Sequence, residues 1–210
     1  MKRLSLPRVR LKNWQLALVL SCVGGLVHSG SFANEARPVD PLRADSLPAD
    51  SLYQSETHWT NSRNEHVMLP MLAGKPQVLA FVYSHCLSMC PVIVADLQRV
   101  EQKLSADERQ QVRFTLVTLD PDRDTPETMA KFLSTHKLAP SRWQFLRGSA
   151  DDTRELALLF NVKYRQEGEE IAHSNTISVL DDKGRLTHQR VGVGGLDEVV
   201  QAVRRALAKP

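Results

Sequence analysis

Gln77-Val78-Leu79-Ala80-Phe81-Val82-Tyr83 runs into Ser84-His85-Cys86-Leu87-Ser88-Met89-Cys90-Pro91 and then into Val92 to Leu104, and this stretch decides the fold. Its first part is a continuous apolar run of strand length, which predicts a buried central strand. In its last part Ile93, Val94, Leu97, Val100 and Leu104 recur at helical spacing, which predicts an amphipathic helix with that face inward. The two cysteines between them therefore lie where a strand becomes a helix.

The same reading extends outward. Val112 to Leu119 is a second buried strand, followed by DPDRDTP and a helix from about Pro126 to His136, with Pro126 in the first turn and Asp124 or Thr125 as cap. A further helix is expected over Asp152 to Phe160. Asn175 to Leu180 is a strand that Asp181-Asp182-Lys183-Gly184 turns into Arg185 to Val191. An amphipathic helix carrying Leu196, Val199, Val200, Val203 and Leu207 closes the chain. Upstream, short alternating stretches at Ser51 to Gln54 and Thr57 to Thr60 predict an N-terminal β-hairpin. The order describes an α/β, thioredoxin-like sandwich: a central mixed β-sheet flanked by helices.

With 210 residues, 42% apolar and 24% charged, the chain is neither a disordered polymer nor a disulfide-built miniprotein. Its formal charge of +3 is unevenly placed: residues 1–33 hold Lys2, Arg3, Arg8, Arg10 and Lys12 and no Asp or Glu, and removing those five charges leaves −2. The basic balance belongs to this leader, so no nucleic-acid partner is expected. A basic stretch ending at Lys12, an apolar run from Leu16 to Leu20 and the small residues before Ala33 read as an export signal cleaved after Ala33. An uncleaved anchor is the alternative, although Trp14 to Val27 falls short of the roughly 20 residues that span a bilayer. Cys22, after Val19-Leu20-Ser21, loosely resembles a lipoprotein processing site. Residues 34–50, with three prolines and alternating charges, predict a flexible linker. Residues 51–210 form the domain. Export places it in the periplasm or at the extracytoplasmic face of the inner membrane, where Cys86 and Cys90 are the remaining thiols.

Two thiols at a helix N-terminus meet unpaired N–H groups that favour thiolate, and their i to i+4 spacing is expected to hold both sulfurs on one helical face. Such a pair can chelate one ion or close as a redox-active disulfide. A purely structural staple is disfavoured, because closing so short a loop contributes little stability. Two thiolates leave copper(I) or zinc undercoordinated, so a neutral imidazole is the natural third ligand. Of seven histidines, His28 leaves with the signal, His136 sits at a helix end and His188 lies in an alternating strand. His173 occupies a loop just before the strand from Asn175, at a sheet end where α/β proteins build their sites. His58 and His66, near the hairpin, receive no role.

The pieces VYSHCLSMCP, TLDPDRDTP and AHSNTISVLDDKGR occur in an order and at separations that strongly resemble the Sco (SenC) family of copper-delivery proteins, over residues 51–208. The resemblance implies that Cys86, Cys90 and His173 bind copper, as Cu(I) and also as Cu(II). It further implies delivery to the copper-site subunit of a respiratory oxidase, or reduction of the cysteines of that dinuclear site, as a metallochaperone rather than an enzyme. The implied partners are that subunit, a periplasmic thiol reductant and a copper donor protein. The chain departs from the family pattern at Leu87, where proline is usual, and at Ala172, where an aspartate usually precedes the histidine. His85 is common at its position in the family and would lower the thiol pKa when protonated; Met89 is either an auxiliary soft ligand or packing. Asp120, Asp122 and Asp124 read as a capped structural loop rather than a hard-metal site. The competing reading is a periplasmic thiol–disulfide oxidoreductase using Cys86 and Cys90 without metal. Against it, no proline occurs between Pro140 and Pro210, where a reductase would place one facing its dithiol.

Overall fold

The computed structural model describes residues 47–208; the expected signal or anchor, residues 1–33, and most of the linker lie outside them. The strands and helices in chain order are β1 (His58–Asn61), β2 (His66–Met68), β3 (Gln77–Val82), α1 (Cys90–Lys103), α2 (Ala106–Gln111), β4 (Arg113–Thr118), α3 (Pro126–Thr135), β5 (Trp143–Arg147), α4 (Ala150–Leu159), β6 (Tyr164–Glu167), β7 (Glu170–His173), β8 (Thr176–Leu180), β9 (Leu186–Val191) and α5 (Leu196–Leu207). Seven strands form one mixed sheet in the order β2-β1-β5-β4-β3-β8-β9, and β6 and β7 form a separate two-stranded ribbon. No helix among the described residues is long and apolar enough to cross a membrane.

All six residues of β3 are buried, as its continuous apolar run requires. It lies parallel to β4, which lies parallel to β5, while β8 runs antiparallel to β3 on the other side. The C-terminal ends of β3 and β4 and the start of β8 therefore meet at one end of the sheet. Helix α1 buries Ile93, Val94, Leu97 and Val100, and α1 and α5 pack together beside β3, β8 and β9. On β4 and β5, Phe114 stacks on Trp143 with ring centroids 4.6 Å apart, and the Trp143 indole N–H donates to Glu101 at 3.0 Å. That bond satisfies a polar atom the core would otherwise strand.

Three local features depart from the sequence reading. The N-terminal hairpin is built from β1 and β2, whereas Leu52–Gln54 is a single 3-10 turn whose start is capped by the Ser51 hydroxyl, which accepts from the Tyr53 N–H. Before it, Leu47 packs against the core and Asp50 pairs with Arg185, so packing begins inside the segment assigned to the linker. β5 and the β6–β7 ribbon were not anticipated. The ribbon residues YRQEGEE are nearly all polar and exposed, so they carry no period for a pattern to detect.

Candidate metal centre

Beyond Val82 the chain turns away from the sheet, with the Cys86 N–H donating to the Tyr83 carbonyl at 3.3 Å. Cys90 is the first residue of α1, and its N–H donates to the Cys86 sulfur at 3.3 Å. The cysteines are thus not on successive turns of one helix, as their spacing suggested. Met89 provides no side-chain cap, and Cys86, in the preceding turn, places its sulfur over the helix N-terminus instead.

The two thiols differ sharply. Burial opposes ionisation of Cys86, but the Cys90 thiol and the N–H groups of Cys90 and Ser88 donate to its sulfur and bring its pKa down to about 7. Cys90 is fully buried, and burial first, then its bond to Cys86, pushes its thiol far above the ordinary range. Both are free thiols. The pair therefore presents one ready thiolate and one protected thiol.

His173 is the last residue of β7, not part of a loop, and its Nε2 stands 3.7 Å from the Cys90 sulfur. Its Nδ1 lies 3.1 Å from the Ser174 carbonyl, which assigns the proton to Nδ1 and leaves the Nε2 lone pair facing the thiol. Burial holds the imidazole pKa below its usual value, which keeps the ring neutral and able to bind a metal.

Two polar clamps, anchored on consecutive residues, hold these segments. The Tyr83 hydroxyl accepts the Ile171 N–H at 3.1 Å and donates to the Glu170 carboxylate, while its ring meets His173 edge-on with centroids 6.1 Å apart. It ties the ribbon that carries His173 to the end of β3. The Asp124 carboxylate, fully buried, accepts from the Ser84 N–H and hydroxyl and from the Thr118 hydroxyl. It ties the cysteine turn to the loop after β4, and Thr125 caps α3 in its place. Asp124 thus acts as a structural clamp, and Asp120 pairs with Arg123 in the same loop. Tyr83 was missed, although a tyrosine closing a buried apolar run calls for a partner for its hydroxyl.

The remaining expected residues lie at the rim. His85 is half-exposed, with Nδ1 3.0 Å from the Ser84 hydroxyl and 3.9 Å from Asp124, so it joins the aspartate network and makes no hydrogen bond to either thiol. Met89 is 40% exposed and packs into no core, because it precedes the buried face of α1. Leu87 is 89% exposed at the tip of the turn. Ala172 lies cross-strand from Arg165, in an open cleft lined also by Lys163, Tyr164, His173 and Ser174.

At bond lengths of about 2.0–2.3 Å, a thiolate and an imidazole on one ion stand about 3.5–3.8 Å apart, and the Cys90–His173 separation of 3.7 Å fits that spacing. Among the described residues no three His, Cys, Asp or Glu side chains are already gathered to hold an ion. The Cys86 sulfur accepts from the Cys90 N–H at the start of α1 and lies within hydrogen-bonding reach of the Cys90 thiol.

Fold and residues together define a thioredoxin-like domain whose dithiol faces an imidazole. The chain belongs to the SCO1/SenC family, whose sequence model matches residues 48–208. The SCO1 protein homolog of Bacillus subtilis (strain 168) is 27% identical over 152 residues, covering 70% of this chain and 78% of its own length. The structure of Bradyrhizobium japonicum ScoI with copper bound shares the fold, with a TM-score of 0.61 and 22% identity over 72% of this chain and 98% of that one. BsSco, a member of the Sco family of cytochrome c oxidase assembly proteins in which a disulfide switch is identified, matches with a TM-score of 0.63 and 26% identity, covering 72% of this chain and 92% of that one.

Proposed function

We propose that this chain is an exported copper-binding metallochaperone in which Cys86, Cys90 and His173 hold copper(I) and pass it to the copper-site subunit of a respiratory oxidase. The observation that carries the reading is the neutral His173 imidazole, its Nε2 lone pair 3.7 Å from the buried Cys90 sulfur. Two thiolates and an imidazole are soft and borderline donors suited to copper(I). Copper is the cargo; the protein contributes one thiolate set by the helix N-terminus, one shielded sulfur and an imidazole fixed by its Nδ1 hydrogen bond. A donor protein loads the site and a periplasmic thiol reductant keeps the cysteines reduced.

The asymmetry of the thiols favours a second reading, reduction of the recipient's cysteines. Cys86 as thiolate would attack a disulfide sulfur of the recipient to form a mixed disulfide. Cys90 would then displace the recipient thiol and close the Cys86–Cys90 disulfide.

The test is an anaerobic copper(I) titration of the reduced protein against a competing chelator, with Cys86→Ser, Cys90→Ser and His173→Ala. One tightly bound equivalent, lost in all three variants, supports the chaperone site. Wild-type binding no tighter than in the variants sinks it. Dithiol reductase activity that survives His173→Ala while copper binding collapses would show that the two acts use the cysteines differently.

A further inference from the structure

The outer face of the β1–β2 hairpin carries two imidazoles that the thiol site does not use. Trp59 and Val67 point into the core, so the strand alternation turns His58, Thr60, His66 and Met68 outward. The register sets His58 opposite Met68 and Thr60 opposite His66, which makes the two histidines diagonal neighbours on one face. Their rings stack with centroids 5.3 Å apart and an interplanar angle of 21°. Neither imidazole makes a hydrogen bond or an ion pair among the described residues.

The same face borders a cleft whose far wall holds Asp152, from the first turn of α4. Asp152 uses one oxygen, Oδ2, to cap that helix by accepting from the Ser149 N–H and hydroxyl. Arg147 also lines the cleft, but its Nε is spent on the Pro121 carbonyl. The hairpin forms one edge of the sheet, with β5 and β4 between it and β3, so this face is separate from the cysteine turn.

We propose that His58 and His66 form a second, surface metal site that takes one copper(II) ion through their ring nitrogens. An ion bound to an imidazole at about 2.0 Å lies about 3 Å from the ring centre. Two rings sharing an ion then keep their centres within about 4–6 Å. The observed 5.3 Å lies in this range, and binding requires the stacked rings to rotate about their side-chain torsions so that one nitrogen of each faces the ion. Copper(II) is the ion for such a pair, because among divalent first-row metals it binds imidazole most strongly.

The experiment titrates the full chain, with the thiol site removed by Cys86→Ser, Cys90→Ser and His173→Ala, with a copper(II) salt alone, read by electron paramagnetic resonance and visible absorption. One equivalent with imidazole-nitrogen hyperfine structure is expected, with affinity at least 10-fold lower when His58→Ala and His66→Ala are added. Equal binding with and without those two substitutions overturns the site, and displacement by equimolar zinc overturns the copper assignment. The unsubstituted chain gives a check that does not depend on the folding of the variants. With its thiol site first filled by one equivalent of copper(I), added copper(II) should broaden the His58, His66 and Gly148 nuclear resonances ahead of those of His136 and His188, and broadening in the reverse order, or none at His58 and His66, overturns the proposal.

Discussion

Replacing Tyr83 by phenylalanine removes one oxygen and tests whether that oxygen positions His173. Tyr83 is 1% exposed, and its hydroxyl is the polar link from the end of β3 to Glu170 and Ile171 of β7. Without it the Ile171 N–H, on a residue 6% exposed, is left buried without a partner, at a cost of about 1–3 kcal/mol. The exposed Glu170 carboxylate regains water and adds less, so the total is about 2–3 kcal/mol. The β6–β7 ribbon pairs with no strand of the main sheet, so the loss falls on its docking rather than on the core. At about 1.4 kcal/mol per decade, the docking equilibrium weakens by about 30- to 150-fold. Hydrogen exchange of the Ile171 amide should accelerate by a similar factor in the Tyr83→Phe protein. Copper(I) affinity, measured by chelator competition, should fall at least 10-fold, because His173 ends the same strand. An Ile171 amide as protected as in the wild type, with copper affinity within twofold, would refute the idea that this hydroxyl places the imidazole.

In the reduced, copper-free protein, the rate of Cys86 alkylation by iodoacetamide should follow its thiolate, rising between pH 6 and pH 8 about a midpoint near 7, while Cys90 reacts only on unfolding; a midpoint above 8 would mean that the N–H groups of α1 do not stabilise the sulfur. Asp124→Ala leaves the Ser84 and Thr118 donors without their acceptor, and a loss of about 2–4 kcal/mol in urea unfolding is expected; a change below 0.5 kcal/mol, taken as about the size of a neutral surface substitution, would remove its role as clamp. Gly184→Ala puts a Cβ within 2.4 Å of the Tyr53 ring at a φ of +80°, so a loss of about 2–4 kcal/mol should appear in the urea midpoint, and an unchanged midpoint would show that Tyr53 moves freely.

The elements legible from sequence are those whose burial follows one period: β3 and β4 as continuous apolar runs, α1 and α5 as one-sided helices, and β8–β9 joined at Asp181 to Gly184. Those that escaped have no such signal. α2 buries no residue and shows only its capping box, Ser105 with Glu108, while β6–β7 is a polar ribbon whose order comes from docking on Tyr83. At the site, spacing named Cys86 and Cys90 and chemistry named His173, but their placement was read wrongly in two details. Cys86 sits in the turn because α1 begins only at Cys90, and His173 ends a strand because the ribbon before it was invisible. Of the two departures from the family pattern, Leu87 stands at the exposed tip of the turn and Ala172 faces Arg165 across the ribbon.

The two clamps explain how a site assembled from distant segments holds its spacing. Tyr83 and Ser84 are consecutive, yet one engages the ribbon that carries His173 and the other engages Asp124 in the loop after β4. The end of β3 thus fixes the imidazole and the cysteine turn from the same point of a buried strand. The Cys90–His173 separation is set by that strand end and by the start of α1, both rigid, buried elements. Cys86 belongs to neither. It sits in the turn between them, its sulfur accepting from the Cys90 thiol and from the Cys90 and Ser88 N–H groups. In the proposed copper site two donors would therefore be placed by buried elements and the third by a turn, so that moving that turn alone would open the site without unpacking the domain.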